Sequence, residues 1–490
     1  MKYADIAVIG AGLLGCFAAR ALCAWDVHPL VLEQREDVCT GISKANTGIV
    51  YTGCDTKPGT LKTRLCVRAN QTFDTLCREL DVPFSRCGSL MIAFGPRAER
   101  VLESKYALGL ANGVPGIEML ERRQVLQREP NLASSVTKGL FVPGTGTVDP
   151  WELGIAAYEN AQANGARFHF NEKLIHLSRT GHGFLLETDR QQYVCRSVIN
   201  CAGLQADTVR EMLQIPCVRI IPSAGDYLIL DTCAGDHFQH IIFHEPEIKG
   251  KGLTLVPTVD GNLLVGPTER DTEGMDHATS GEGLELLHTL CAQVAPNLPI
   301  DQVIRNFGAL RPNPYQVHQE QGAWVPEATS ISNFTVLEED GLFSLIGIKT
   351  PGLTCAAELG RYVAEKAAAY LGCDRPNPAF DPLRRGIRAV RKLDERERAE
   401  LVRSDPAYGQ IVCRCREISK GEVLEAIRRG ASTVDGVKRR VGAGMGRCQG
   451  GYCMQTILET LAEERGLSPA SITKDGGGTR VLYGKTDASV

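Results

Sequence analysis

The chain has 490 residues, 43% apolar and 23% charged, with a formal net charge of -4, enough for two or three domains with substantial cores. The small negative charge argues against bulk nucleic-acid or anionic-membrane binding, and no run approaches the roughly 18 apolar residues of a transmembrane helix. The first apolar stretch reads as a strand rather than a signal peptide, and most of the 18 cysteines stand singly in apolar segments (Cys16, Cys23, Cys201, Cys355), which implies no disulfide framework and a reducing, cytoplasmic compartment.

Residues 6–9 read as a strand, Gly10-Ala11-Gly12-Leu13-Leu14-Gly15 as a turn opening an Ala/Leu-rich helix, and 29–32 as a second strand ending in Glu33. Strand, turn, helix, strand and acid in this order form the dinucleotide-binding fingerprint. Gly10 permits the tight turn, Gly12 admits a pyrophosphate to the helix N-terminus, Gly15 lets helix and strand pack closely, and Glu33 is placed to accept from ribose hydroxyls. A polar loop follows, Gly41-Ile42-Ser43-Lys44-Ala45-Asn46-Thr47-Gly48-Ile49-Val50-Tyr51, then a helical segment over 64–80. Residues 84–140 have the character of an insertion, a strand followed by two amphipathic helices. In the Gly/Pro loop 141–151, Asp149 is either a helix N-cap or a ligand. The strand over 197–203 ends in Ala202-Gly203, small enough for a cofactor to approach the backbone. Short alternating runs over 218–343 predict an antiparallel sheet. Within them Phe307-Gly308-Ala309-Leu310-Arg311-Pro312 offers a guanidinium, the natural partner of phosphate or carboxylate. Leu345-Ile346-Gly347-Ile348-Lys349-Thr350-Pro351-Gly352-Leu353-Thr354 predicts a turn feeding a helix whose N-terminus favours negative charge. Residues 372–406 turn proline-rich and charged, an inter-domain connection with a solvated helix. Finally, Cys413 and Cys415 are followed by Cys448 and Cys453. Two close thiol pairs bracketing a helical segment predict a four-thiolate site, for which softness and ligand number leave zinc and [2Fe-2S] both open.

The Ser43-x-x-Asn46-x-Gly48 motif resembles that of flavoproteins of the D-amino-acid-oxidase type, where it runs beneath the flavin ring, and the segment after Pro58 is similar to their glycerol-3-phosphate dehydrogenase and L-2-hydroxyglutarate dehydrogenase branches. The resemblance implies FAD rather than NAD. Tyr51 stands where relatives commonly have a His used for flavin attachment or catalysis, which implies non-covalent FAD. Ala202 and Gly203 are similar to the family's second FAD contact, and Gly347, Gly352, Leu353 and Thr354 to its third. Ser223 and Ala224 stand where relatives often carry Lys or Arg. Arg311 matches an arginine that holds the substrate anion in the glycerol-3-phosphate branch, and Lys349 falls near that branch's Gly-Gly-Lys. With Gly444-Met445-Gly446-Arg447 ahead of Cys448, the C-terminal cysteines resemble the bacterioferritin-associated-ferredoxin-like (BFD-like) [2Fe-2S] domain. That implies a [2Fe-2S] cluster on Cys413, Cys415, Cys448 and Cys453, its negative charge offset by Arg414, Arg416, Lys438, Arg439, Arg440 and Arg447.

The expected fold is α/β. A discontinuous Rossmann-like FAD-binding domain takes 1–83, 141–217 and 335–372, and an inserted antiparallel α+β substrate domain takes 84–140 and 218–334. A linker over 373–405, a small helical [2Fe-2S] domain over 406–467 and a loosely held tail over 468–490 complete it. The expected function is an FAD-dependent dehydrogenase of a small anionic hydroxy substrate, glycerol 3-phosphate first, with Tyr51, Arg311 and Lys349 at the reacting centre. Electrons pass from reduced FAD through the cluster to an acceptor protein or partner subunit, which allows peripheral membrane association through that partner. An L-2-hydroxy acid, an amino acid or a secondary amine is the alternative substrate, and a flavin/iron-sulfur redox sensor the non-enzymatic alternative.

Overall fold

The computed structural model describes residues 2–247, 252–272 and 274–484. β1 (Lys2–Ile9) passes through the glycine turn into α1 (Leu13–Leu22) and returns as β2 (Pro29–Leu32). α2 (Leu61–Leu80) begins at Thr60, whose side chain accepts from the Thr63 amide. Then come β3 (Ser89–Ala93), β4 (Lys138–Val142), α3 (Pro150–Ala163), β5 (Gln192–Asn200), β6 (Val218–Leu230), β7 (Ile241–His244) and the long β8 (Val303–Glu320). β9 (Leu342–Ile346) turns at Gly347 towards α4 (Gly352–Leu371), and α5 (Glu395–Ser404) and α6 (Val434–Val441) belong to the C-terminal part.

β1 lies between β2 and β5, parallel to both, with Val8 opposite Val31 and Ile199. β9 joins β5 in parallel, Ile199 opposite Phe343. The centre of this eight-stranded sheet therefore comes from distant stretches of chain. Both faces are covered, so β1 does not alternate: Ile6, Ala7 and Val8 are all fully buried. Ile6 and Val8 pack with α1, α3 and α4, while Ala7 and Ile9 pack with the 174–195 hairpin. α1 and α4 approach closely because Gly360 has no side chain; a Cβ there would lie 2.6 Å from the Phe17 backbone.

A ten-stranded sheet gathers β3 and β4 with β6, β7 and β8. It departs from the purely antiparallel expectation at one pair: β7 runs parallel to β3, Ile242 opposite Leu90. β3 arrives from the inserted stretch rather than through a hairpin, so nothing forces it to run against β7. The longest ladder pairs β6 with β8, from Val218 opposite Gln316 to Leu230 opposite Val303.

Part of the inter-domain connection is anchored on the flavin-side fold. Arg384, buried, donates to Glu159 at 2.7 Å and Glu152 at 2.6 Å on α3, and Asn377 donates to the Cys23 carbonyl. Residues 376–386 are thus a strap across α1 and α3, anchored through Asn377 and Arg384, and α5 is the solvated helix expected in this connection. The start of the tail is held as well. Ile472 is buried in the C-terminal core, and Asp475 accepts from Lys44 and Arg439, both at 2.8 Å. Residues 485–490 of the expected tail lie outside the described residues.

Candidate active site

A cavity of about 560 Å³ opens where the C-terminal ends of β1, β5 and β9 meet the β6–β8 ladder, the usual place for a ligand in a parallel sheet. The three fingerprint glycines have distinct surroundings. Gly10 has φ +95°, and a Cβ there would lie 2.7 Å from the Cys201 carbonyl oxygen. A Cβ on Gly15 would lie 1.9 Å from the Gly10 oxygen, so both positions exist to let backbones touch. Gly12, in the cavity wall at the start of α1, would meet only the Ser43 hydroxyl, at 3.6 Å. It leaves the helix N-terminus accessible to a phosphate.

Ser43 Oγ accepts from the Leu13 amide at 3.1 Å, which ties the 41–48 loop over that helix end. Asn46 Oδ1 accepts from the Gly48 amide at 2.9 Å, bracing the bend in which Gly48 has φ +69°. Glu33 lines the cavity, but its carboxylate already accepts from the Ala11 amide at 2.7 Å and the Arg35 amide at 2.9 Å. Its first role is to close the loop; ribose hydroxyls would share those oxygens. Ala202, Gly203, Gly352 and Leu353 also line the cavity. Gly15, Gly48, Gly347 and Thr354 stand behind the wall. Thr354 Oγ1 accepts from the Tyr51 amide at 3.0 Å, fastening α4 to the 49–51 segment. Gly347 has φ +62°, and a Cβ there would lie 2.5 Å from Pro314.

At the polar end, Arg311 donates to the Thr268 carbonyl at 3.2 Å and faces Glu269 at 3.5 Å, and it also bonds the Tyr227 phenol. Lys349 Nζ donates to Asn313 Oδ1 at 3.0 Å and Ser330 Oγ at 3.1 Å. Both cations share the wall with Tyr51. Burial, then the negative charge of Asp55, pushes the Tyr51 phenol well above its ordinary range. Tyr227 and His277 also line the cavity. Sequence reasoning did not select either; Tyr227 looks like any strand aromatic, and His277 sits in an irregular loop without a motif. Asp149 is the α3 cap, its Oδ1 accepting from the Trp151 and Glu152 amides at 2.9 Å, away from the cavity wall. Burial, then the charge of Asp260, raises its carboxyl to about 7.

The four C-terminal cysteines come together as two pairs. Cys415 and Cys448 Sγ lie 3.3 Å apart, and Cys413 bonds Cys453, which with other contacts draws the Cys413 thiol down to about 5. Cys413 and Cys453 are buried, whereas Cys415 is exposed. Among the described residues no three His, Cys, Asp or Glu side chains converge as one ion would require. Two adjacent thiol pairs suit a two-iron cluster, in which each iron takes two thiolates. Gly446 allows the loop to close: a Cβ there would lie 2.5 Å from the Cys415 Cβ. The basic residues do not all serve this site. Arg416 pairs with Asp260, and Arg439 and Arg440 pair with Asp37. These pairs dock the domain, and Arg416 also favours the Cys413 thiolate by its charge.

The open Gly12, the α1 N-terminus in the cavity wall, the acid at 33 and a cavity of cofactor size fit FAD, and the paired thiols fit [2Fe-2S]. The FAD dependent oxidoreductase family model matches residues 5–366, and the BFD-like [2Fe-2S] binding domain model matches 411–463. The chain is 37% identical over 489 residues to a glycerol 3-phosphate dehydrogenase of Caloramator mitchellensis, covering 99% of each. It is 25% identical over 426 residues to an L-2-hydroxyglutarate dehydrogenase of Escherichia coli K12, covering 80% of this chain and 98% of that one. Its fold matches the FAD-bound L-alpha-glycerophosphate oxidase of Mycoplasma pneumoniae with a TM-score of 0.70 at 24% identity, over 78% of this chain and 99% of that one. The chain belongs to the FAD dependent oxidoreductase family and carries a BFD-like [2Fe-2S] binding domain at its C-terminal end.

Proposed function

We propose that the protein oxidises glycerol 3-phosphate to dihydroxyacetone phosphate and passes the electrons through the C-terminal cluster to a separate acceptor. The observation that carries this reading is the pair of cations, Arg311 and Lys349, on the same cavity wall as Gly12 and Ser43. FAD, when bound, supplies the two-electron acceptor for the substrate C–H bond. Gly10, Gly12, Gly15, Glu33, Ser43, Asn46 and Gly48 are its proposed cradle on one side. Ala202, Gly203, Gly347, Gly352, Leu353 and Thr354 form the other. The planar fork of Arg311 takes the phosphate. Lys349, anchored by Asn313 and Ser330, orients the hydroxyl end. Tyr51 stays protonated and donates a hydrogen bond to the substrate. The hydroxyl proton leaves towards His277, the imidazole on this wall. The full-length similarity to a glycerol 3-phosphate dehydrogenase supports this substrate. A second reading is an L-2-hydroxy acid, because the same guanidinium forks a carboxylate equally well and one relative is named for L-2-hydroxyglutarate.

The test is anaerobic mixing of the flavin-loaded protein with glycerol 3-phosphate, L-2-hydroxyglutarate and sarcosine in turn. Glycerol 3-phosphate is expected to bleach the flavin's visible absorbance at once and the other two slowly or not at all. Bleaching by L-2-hydroxyglutarate alone moves the assignment to the second reading, and no bleaching by any of them sinks both.

A further inference from the structure

The β6–β8 ladder joins the cavity to the cysteine loop. Gln449, between Cys448 and Cys453, accepts from Arg305 Nη1 at 3.1 Å. Arg447, next to Cys448, pairs with Asp231 just beyond β6 at 2.9 Å. From Arg305 the register runs without a shift to Arg311, with Tyr227 opposite Phe307 and Ser223 opposite Arg311. Residues two apart on a strand share a face, so Arg305, Phe307, Ala309 and Arg311 stand in one row. Tyr227 stacks on Phe307, ring centroids 4.8 Å apart and planes 6° from parallel. Tyr227, Ala309 and Arg311 are themselves cavity wall. One face of one ladder thus carries, in order, the contact to the cysteine loop, a stacked aromatic pair, the cavity and the proposed anion-holding guanidinium.

We infer that this row is the route by which electrons pass from the flavin to the cluster, with the Tyr227–Phe307 stack filling the interval and the Arg305–Gln449 contact fixing its length. The inference rests on the electron-exit reading above and names the residues that carry it. From 305 to 311 is about 20 Å at roughly 3.3 Å per residue, and Phe307 lies about 7 Å from Arg305 on that scale. The interval is packed: Tyr227, Ala309 and the partly buried Phe307 and Tyr51 form one apolar cluster with Ile49. Other contacts of the C-terminal domain with the flavin-side fold include ion pairs at Asp37, at Glu159 and through Asp475. In each transfer reduced FAD gives one electron to the oxidised cluster and one proton to solvent. A one-electron acceptor protein or dye then reoxidises the cluster, and two rounds return the flavin to its oxidised form.

The test uses the full chain loaded with both cofactors, as wild type, Phe307→Leu, Arg305→Met and Gln449→Leu. The flavin is reduced by glycerol 3-phosphate or, independently of substrate, by light with EDTA, and the cluster's own absorbance is followed. Dipolar electron resonance measures the separation of the half-reduced flavin from the reduced cluster. Phe307→Leu is expected to slow cluster reduction about tenfold while flavin reduction, FAD content and cluster content stay as in wild type. The separation is expected to be below about 20 Å, the length of the row. An unchanged transfer rate in Phe307→Leu, or a longer separation, overturns the route. Should Phe307→Leu fail to fold, the exposed Arg305→Met and the half-buried Gln449→Leu give the same reading, and unchanged transfer in both overturns it too. If light but not glycerol 3-phosphate starts the transfer, the substrate reading fails while the route stands.

Discussion

At the scale of single residues, Gly12 and Gly15 lack side chains for opposite reasons. Position 15 must be empty for the protein itself, since any Cβ would overlap the Gly10 carbonyl; position 12 is empty towards the cavity. The motif spells out both, because steric demands this strict leave only one residue type. Arg311 was also legible, as a guanidinium in a recognisable segment, although what surrounds it was not. Its neighbours come from elsewhere in the chain, Tyr227 from β6 and Thr268 and Glu269 from the irregular segment after residue 265. Ser223, standing where relatives often carry a cation, accepts from Asn313 at 3.0 Å, and Asn313 in turn binds Lys349. Ser223 adds no cation there, which leaves Arg311 and Lys349 as the proposed anion contacts. Truncation to Arg311→Leu should raise the KM for the anionic substrate steeply, on the scale of roughly 2–5 kcal/mol for removing one partner of a buried charge pair, with FAD content unchanged. Steady-state kinetics on the flavin-replete variant measure this, and an unaltered KM would leave Arg311 a purely structural role.

Among the elements, α6 shows where charge patterning misleads. Its arginines were read as neighbours of an anionic cluster because only their sequence distance to the cysteines was visible. Folding carries them to Asp37 instead, 402 and 403 residues away. Arg440 grips that carboxylate with both nitrogens, at 2.7 and 2.8 Å, and Arg439 adds a third bond at 3.2 Å. Asp37 is 2% exposed and Arg440 5%. Burial alone would raise the Asp37 carboxyl, but Arg440 and then Arg439 outweigh it and hold the group below its ordinary value of 3.8. A depressed carboxyl contributes its full stability above its unfolded value and loses it as the pH falls through the folded one, so docking should be unaffected by pH near neutrality and should weaken below about pH 4. Asp37→Asn leaves two buried guanidiniums short of a counter-charge, at a cost of about 3–5 kcal/mol. Hydrogen exchange should then report faster opening of α6 and the cysteine loop at neutral pH, while the amides of β1 and β5 keep their protection. Equal protection of α6 in wild type and variant would show that the pair does not hold the domain.

At the scale of the whole molecule, the order of parts was readable because each carries a local signature, a glycine turn here and thiol pairs there. Their packing was not. The strap over 376–386 looked like a spacer because proline and charge are common to both, and burial of Arg384 between Glu152 and Glu159 is a property of the assembled fold. Two cofactors in one chain permit a clean separation of half-reactions. Cys448→Ser should remove the cluster's visible absorbance and the reduction of a protein acceptor, while anaerobic bleaching of the flavin by glycerol 3-phosphate survives. Metal analysis of anaerobically purified protein should find iron; stoichiometric zinc would make the domain a structural knob. The way the parallel sheet is threaded also bears on how the protein is made. β1 and β2 emerge first, but the other partner of β1, β5, begins 190 residues after β1 does, and β9 and α4 come later still. The N-terminal βαβ unit must therefore wait through most of synthesis with the outer face of α1 uncovered, a stretch in which chaperones have the most to bind. The link from Lys44 to Asp475 forms last, so the loop over the proposed flavin site, already tied by Ser43 and Trp151, gains its final ion pair only after the cysteine domain has been translated. A product terminated before that domain would keep the glycine fingerprint and these earlier ties but lack that ion pair.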